Sequence, residues 1–243
     1  LTKAAIWATA IAAGLWANGR FLQGGLAMLE VLTVECAALS TVSALGFIDG
    51  YMVFKPLTMM IAITFVAVYA YSTRARGRFH ALLLAALVFS LAGDVFLMLP
   101  GNYFIPGLAS FLVAHIFYIA LFRQEQVWFP SKRALLGVLA VGAVMYSIIW
   151  GGLNDPVLKI AVAAYVTVIS LMAAQAIGRA TITGDAAARW VALGACVFMV
   201  SDSLIAINKF VTPVALSSLW ILATYYCAQM LILHNVRRTP SPG

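Results

Sequence analysis

The sequence predicts an all-α protein, a polytopic membrane bundle of about eight transmembrane helices. Of the 243 residues, 64% are hydrophobic and only 9% are charged. The mean hydropathy of +1.00 lies far above that of soluble domains. In addition, apolar runs of about 20 residues, the length that crosses the hydrocarbon core of a bilayer, recur along the chain. We therefore expect an integral membrane protein.

Eight apolar runs are long enough to span. They cover residues 28–48, 55–72, 80–99, 104–122, 134–151, 156–178, 187–207 and 213–234. Turn and breaker residues separate them, namely Asp49-Gly50, Pro100-Gly101-Asn102, Pro130, Gly151-Gly152, Asn154-Asp155-Pro156, Gly184 and Pro213. Because no connection is long enough for a second domain, residues 28–235 are expected to form one transmembrane domain, followed by a cytoplasmic tail at 236–243. The alanine-rich stretch within residues 1–27 is interpreted as an extra or interfacial helix.

The basic residues predict the orientation of the bundle. Most of the 15 lysines and arginines fall on alternate connections, which the positive-inside rule assigns to the cytoplasm together with the C-terminus. They are Arg20, Arg74, Arg76, Arg78, Arg123, Lys132, Arg133, Arg179, Arg189, Arg237 and Arg238. The net charge of +7 forms no continuous patch, so nucleic acid is not expected as a partner. The alanine-rich composition, with more arginine than lysine, favours a bacterial inner membrane.

Two aspartates interrupt the apolar runs. Asp94 and Asp202 lie in spans three and seven, where a charged side chain costs about 2.5 to 3.5 kcal/mol on insertion scales. Both spans run outward from the cytoplasm, and each aspartate precedes the outer end by about five residues, or roughly 7 to 8 Å. The two carboxyls are therefore expected to share one cavity. The simpler alternative is that each is protonated and hydrogen-bonded between helices.

Further polar residues lie nearer the middle of the membrane. Span four carries His115 with Tyr118 one turn later, and span eight carries Tyr225, Tyr226 and Gln229. Each has a structural alternative, because such side chains also serve as interhelical hydrogen-bonding or packing groups. Three cysteines, all within apolar runs and without metal-ligand spacing, indicate neither disulfides nor a zinc site; they are Cys36, Cys196 and Cys227.

Several motifs, in this order, resemble the YhhN family of membrane lysoplasmalogenases. They are Lys55-Pro56-Leu57-Thr58, SLAGDVFLML at 90–99, Phe104, GLASFLVAHIFYIALF at 107–122, GACVFMVSDSLIAINKF at 194–210 and TYYCAQMLI at 224–232. The resemblance covers roughly residues 30–235 and leaves Glu30 and Glu35 of span one without a role. It implies hydrolysis of the vinyl-ether bond of a lysoplasmalogen, a lysophospholipid held among membrane lipids. The products would be a fatty aldehyde and a glycerophosphocholine or glycerophosphoethanolamine.

A vinyl ether opens by slow protonation of its outer carbon, which requires a well-placed acid and a nearby negative group. Two carboxyls in a low-dielectric site supply both without any cofactor, and such a pair titrates as a unit. We expect Asp202 to be the general acid and Asp94 to stabilise the cation and orient water, with the reverse assignment left open. His115 and Tyr225 would hydrogen-bond to these groups.

The substrate contacts are assigned in the same way. Lys55 and Lys209, near outer helix ends, would hold the phosphate at the headgroup level. Further substrate contacts are expected from Asn208, Tyr118, Tyr226 and Gln229. The chain of the lipid would lie among Phe89, Phe96, Phe111 and Phe198, although aromatic residues at such positions often belong to the core.

Three other functions compete with this prediction. A zinc-dependent amidase of the ceramidase type needs several histidine ligands, whereas only His115 lies well inside a span. An intramembrane aspartyl protease also uses two helix-borne aspartates, but its Tyr-Asp and Pro-Ala-Leu motifs are missing. A transporter coupled to protons or cations, with Asp94 and Asp202 as its binding groups, is compatible with the composition.

Overall fold

Eight α-helices and one short 3₁₀ turn make up the part of the chain that the computed structural model describes, which is residues 21–44, 46, 50–72, 77–124 and 126–236. The helices are α1 (Phe21–Ala44), α2 (Tyr51–Ser72), α3 (Arg78–Met98), α4 (Phe104–Phe122), α5 (Lys132–Ile149), α6 (Pro156–Thr183), α7 (Ala186–Phe210) and α8 (Ser217–Val236). No strand occurs in these ranges. The prediction of an all-α bundle is confirmed.

Seven of these helices, α2 to α8, are long and apolar enough to cross a membrane. Within α1, residues Leu32–Ala44 form a shorter apolar segment. The chain is therefore an integral, multi-pass membrane protein. Some predictions fall on residues outside the described part. These are residues 1–20, which hold most of the segment 1–27 with its predicted helix, the tail from residue 237 onward, and the arginines at positions 74 and 76.

Local capping explains where α6 begins and ends and where α7 begins. Asp155 precedes α6 and accepts a hydrogen bond from the Val157 backbone N–H at 2.8 Å. The helix continues to Thr183, beyond the predicted end at residue 178, because no breaker occurs before Gly184. Gly184 ends it with a φ of +63°, a conformation that glycine adopts without a Cβ clash. Asp185 then caps α7, so the predicted break falls between the two helices.

Because successive spans run in opposite directions, their connections alternate between two faces of the membrane. The lysine face contains the connections at 99–103, 150–155 and 211–216, with Lys209 beside them. The arginine face contains the connections at 123–131 and 184–185, beside Lys132, Arg133 and Arg189.

The site is built where α3, α4, α6, α7 and α8 meet, and α2 packs on α3 and contributes Lys55. Helix α3 packs on α4, α4 packs on α6, and α7 packs on both α6 and α8. Helix α5 stands at the edge of this bundle. It packs mainly on α6 and only slightly on α7, and its buried residues are Gly142 and Ile149. One flank of α7 is therefore covered only thinly by protein.

Candidate active site

Asp94 is held on α3 by two partners from other helices. The Nζ of Lys55 lies 3.2 Å from its Oδ1, and the hydroxyl of Tyr225 donates to its Oδ2 at 2.6 Å. The side chains of Asp94 and Lys55 are 3% and 10% exposed, so both charged groups are almost fully enclosed by protein. A buried carboxylate requires such a counter-charge and hydrogen bonds. The structure thus gives Lys55 a carboxylate partner inside the bundle rather than a place at the predicted headgroup level.

A chain of hydrogen bonds extends from this ion pair. Tyr118 donates to the Oε1 of Gln229 at 2.6 Å, and the Nε2 of Gln229 lies 3.4 Å from the hydroxyl of Tyr225. We call Lys55, Asp94, Tyr225, Gln229 and Tyr118 the buried network. All five were singled out from the sequence. What the structure adds is that they contact one another. The last predicted tyrosine of this helix, at position 226, donates instead to the Ser40 hydroxyl on α1 at 2.9 Å.

Asp202 belongs to a second group of polar side chains. Tyr165 of α6 donates to its Oδ2, and the Nε2 of His115 lies 3.1 Å from the Tyr165 hydroxyl and 3.7 Å from the same Oδ2. His115 is fully buried, whereas the side chain of Asp202 is 16% exposed. We call His115, Tyr165 and Asp202 the Asp202 cluster. Its carboxyl group is the more accessible of the two.

Aromatic rings lie between the two groups. The Phe198 ring packs edge-on against His115 on one side and Tyr225 on the other, with centroid separations of 4.9 and 5.5 Å. Phe111 is T-shaped against both Phe198 and Tyr225. The expectation that both carboxyls line one cavity is wrong for the cavity beside Asp202, because its walls do not include Asp94.

Asp202 opens onto a cavity of about 320 Å³ between α3, α4, α5, α6 and α7. Its walls are mostly apolar, and they include Tyr165 and Ser203 but not Asp94. Along α7 the cavity extends from Cys196 to Phe210. An elongated apolar cavity with one carboxyl partway along it suits a lipid-like ligand with a reactive group in its middle.

A cation lies beside the lysine-face end of this cavity. The exposed Lys209 places its Nζ 4.6 Å from the ring centre of Phe104 and 5.9 Å from that of Phe210, and both rings line the cavity. The neighbouring Asn208 accepts a hydrogen bond from the Val214 backbone N–H at 2.9 Å and fixes the following connection. Lys209 thus lies beside two rings at the lysine-face end of the cavity, whereas the Asn208 amide oxygen has a structural partner.

The four phenylalanines predicted around the lipid chain have different surroundings. Phe111 lines the cavity, and Phe198 forms part of the ring wall behind it. Phe89 stacks on Phe117, and Phe96 stacks on a tyrosine at the start of α4, so both serve packing outside the cavity.

Tyr165 was missed in the sequence, although a signal for it existed. It lies nine residues into α6, about 13 Å from the lysine-face end of that helix. Asp202 lies eight residues before the end of α7, about 12 Å from the same face, because α7 continues to Phe210 rather than to the predicted residue 207. Equal depth therefore links Tyr165 with Asp202. Asp94, about 6 Å from the end of α3, is nearer that face, so the predicted equal depth of the aspartates is wrong.

Comparison with known proteins gives a consistent match. The model of the YhhN family matches residues 50–236. Human lysoplasmalogenase TMEM86A is 36% identical over 161 residues, which are 64% of this chain and 65% of the relative. Human lysoplasmalogenase TMEM86B is 31% identical over 189 residues, 78% of each chain. A lysoplasmalogenase of Mycobacterium tuberculosis is 31% identical over 162 residues, 64% of this chain and 60% of the relative.

The chain thus spans slightly less than two thirds of human TMEM86A and more than three quarters of human TMEM86B. No solved structure matches the chain significantly.

Proposed function

Because this chain belongs to the YhhN family, we propose that it is a membrane lysoplasmalogenase that uses Asp202 as its acid. It would hydrolyse the vinyl-ether bond of a lysoplasmalogen to a fatty aldehyde and a glycerophosphocholine or glycerophosphoethanolamine. The observation that carries the proposal is the position of Asp202, a carboxyl in the wall of an apolar, elongated cavity inside the membrane domain. This arrangement matches a substrate that is a long hydrocarbon chain with an acid-sensitive bond near its polar end.

The reaction begins with proton transfer from Asp202. Its Oδ2 accepts the hydrogen bond of Tyr165, so we assign the proton to Oδ1. The double-bond electrons take this proton at the outer vinyl carbon, and positive charge develops on the carbon attached to the ether oxygen. Tyr165, with His115 behind it, stabilises the carboxylate that remains. A positioned acid of this kind contributes about 10² to 10⁴ in rate.

Water then completes the hydrolysis. It adds to the cationic carbon, and its surplus proton returns to the Asp202 carboxylate. The resulting hemiacetal expels the glycerol oxygen as an alcohol, with Asp202 again supplying the proton and the hemiacetal hydroxyl losing its own. The products are the aldehyde and the glycerophospho compound, and the carboxyl group is restored.

The headgroup is assigned to the lysine face. Lys209 lies seven residues beyond Asp202 on α7, an axial distance of about 10 Å. The phosphorus of the substrate is seven bonds from the outer vinyl carbon, about 8 Å at roughly 1.2 Å per bond of extended chain. The flexible lysine side chain spans the remainder, so Lys209 meets the phosphate while Asp202 meets the double bond.

Asp94 has an indirect role in this proposal. Its charge is balanced by Lys55, and it holds Tyr225, whose ring supports Phe111 and Phe198 in the wall beside the cavity. The buried network therefore positions the wall of the site and does not contact the substrate. This assignment replaces the expectation that Asp94 stabilises the cation directly.

The orientation is part of the proposal. We assign the arginine face to the cytoplasm, which places the C-terminus there and the Lys209 end of the cavity toward the opposite side of a bacterial inner membrane. Fusions after residue 236 in a bacterial host provide the test. A green fluorescent protein fusion should fluoresce and an alkaline phosphatase fusion should be inactive. An active phosphatase fusion would reverse the orientation.

Aldehyde release tests the function. Purified protein in lipid nanodiscs should release aldehyde from lysoplasmenylethanolamine and none from the saturated 1-alkyl analogue. Asp202→Asn should reduce the rate at least about 100-fold. The matched control is Asp185→Asn, which makes the same change at the N-cap of the same helix and keeps a capping side chain. Absence of aldehyde from the folded wild-type protein would overturn the proposal, and solute uptake driven by a proton gradient would favour the transporter.

A further inference from the structure

The cavity continues past Asp202 on the side away from Lys209. Cys196 lies six residues before Asp202 on α7 and also lines the cavity, at an axial distance of about 9 Å. Gly137 of α5 lines the same end. The headgroup would lie at the opposite end, beside Lys209. The part of the cavity between Asp202 and Cys196, which we call the inner arm, is therefore left for the hydrocarbon chain.

The inner arm is not closed toward the lipid. Val141 of α5 and Val200 of α7 both line the cavity, yet they are 61% and 51% exposed. A Cβ added at Gly137 would have no atom within 4 Å. Helices α5 and α7 make few contacts with each other. Gly137, Val141, Cys196 and Val200 line the cavity along this thinly packed boundary between the two helices, which we call the α5–α7 crevice.

The inner arm is too short to hold the whole hydrocarbon chain of a membrane lipid. At about 1.2 Å per bond, 9 Å accommodates roughly seven or eight carbons. A chain that fills one leaflet extends about 15 Å, half of a hydrocarbon core of about 30 Å. About 6 Å of such a chain must therefore lie outside the arm. The α5–α7 crevice is apolar and adjoins hydrocarbon, so the outer part of the chain can pass there without exposing apolar surface to water.

We propose that the alkenyl chain of the substrate runs from Asp202 along the inner arm and emerges through the α5–α7 crevice into the bilayer. This inference rests on the proposed function and specifies how its site takes the lipid. The substrate enters laterally from the membrane, and the aldehyde returns to it by the same route. Chains longer than the arm are accepted because their ends remain among lipids, and Gly137 and Val200 set the width available to them.

Protection of Cys196 tests the path without any turnover. With the other two cysteines replaced by alanine, Cys196 is the only thiol of the chain and can be alkylated by a membrane-permeant maleimide in nanodiscs. The probes are uncleavable saturated 1-alkyl lysophosphoethanolamines with octadecyl or butyl chains. The octadecyl compound should slow labelling at least fivefold. The butyl compound, which is too short to reach Cys196, should leave the rate within twofold.

Equal protection by both compounds at saturation, or by neither, would contradict the proposed path.

Obstruction of the crevice provides the second test. Val200→Trp should lower kcat/KM for an octadecenyl substrate at least tenfold and change that for a butenyl substrate less than threefold. The control is Val144→Trp, an exposed position of α5 outside the cavity lining, which should alter neither value.

The two tests separate this inference from the proposed function. If aldehyde release is normal but Val200→Trp leaves long and short substrates unchanged, or slows them equally, the lateral path is wrong and the function stands. If Cys196 is protected by the long compound but the wild-type protein releases no aldehyde, the lipid path stands and the function is wrong.

Discussion

The buried ion pair between Lys55 and Asp94 is expected to contribute strongly to the stability of the folded protein. Lys55→Met removes the ammonium that lies 3.2 Å from a carboxylate only 3% exposed. The methionine fills similar space, so the main effect is an uncompensated buried charge. Loss of one partner of a buried pair costs about 3 to 5 kcal/mol. For a chain of this size the midpoint of thermal unfolding should fall by on the order of 10 °C.

The assay is thermal unfolding of the purified protein in detergent, with a second substitution as the diagnostic. Lys55→Met/Asp94→Asn removes the orphaned charge and keeps a side chain that can accept from Tyr225, so it should recover most of the lost stability. Lys159→Met is the matched control, because the ammonium of Lys159 lies over the Trp150 ring near the lysine face.

An unfolding midpoint for Lys55→Met equal to that of wild type would refute the reasoning. So would a double variant no more stable than the single one.

Three further predictions concern the site and its support. Tyr165→Phe should retain the fold and lower kcat about 100-fold in the aldehyde assay, because it removes the hydroxyl bonded to Asp202; unchanged kcat would contradict its role. Gln229→Leu should lower the free energy of unfolding by about 2 kcal/mol, because it leaves the buried Tyr118 hydroxyl without its acceptor; a loss below about 0.5 kcal/mol would contradict this. Gly142→Ala should destabilise the protein, because the new Cβ would lie 2.5 Å from the Ser170 hydroxyl. Adding Ser170→Ala should partly restore the lost stability, and an absence of this rescue would place the strain elsewhere.

Much of the fold follows from the hydropathy of the chain and from the turn and breaker residues between its apolar runs. The span predicted at 104–122 coincides with α4, and the start predicted at Pro156 coincides with α6. Helix α6 begins where local chemistry is decisive, at the Asp155 cap followed by proline, and α4 begins just after the breaker residues Pro100-Gly101-Asn102. The end of α7 was harder to predict from the sequence. The polar residues Asn208 and Lys209 lie within the helix, which continues to Phe210.

The candidate site was predictable in composition but not in arrangement. Polar residues inside apolar spans are costly, so Asp94, His115 and Tyr225 could be identified without coordinates. Their pairing depends on helix rotation and on which spans become neighbours, and a single sequence does not encode these relations as a local pattern. Lys55 illustrates this. Its position near a helix end indicated the headgroup region, whereas the fold directs its ammonium to Asp94.

Tyr165 shows a different limit. Tyrosine is common in membrane helices as a packing or interfacial residue, so one tyrosine in an apolar run carries little weight. Its importance comes from two contacts, with His115 and Asp202, that join three helices.

Hydrolysis in heavy water tests the central claim, that an acidic group of the site delivers a proton to the outer vinyl carbon. Lysoplasmenylethanolamine is hydrolysed by the purified protein in deuterated buffer, and the aldehyde is trapped at once and analysed by mass spectrometry. An unlabelled aldehyde added to a parallel sample measures exchange by enolisation. The mechanism predicts one deuterium on the carbon next to the carbonyl, above this background. Aldehyde released without that deuterium would contradict it.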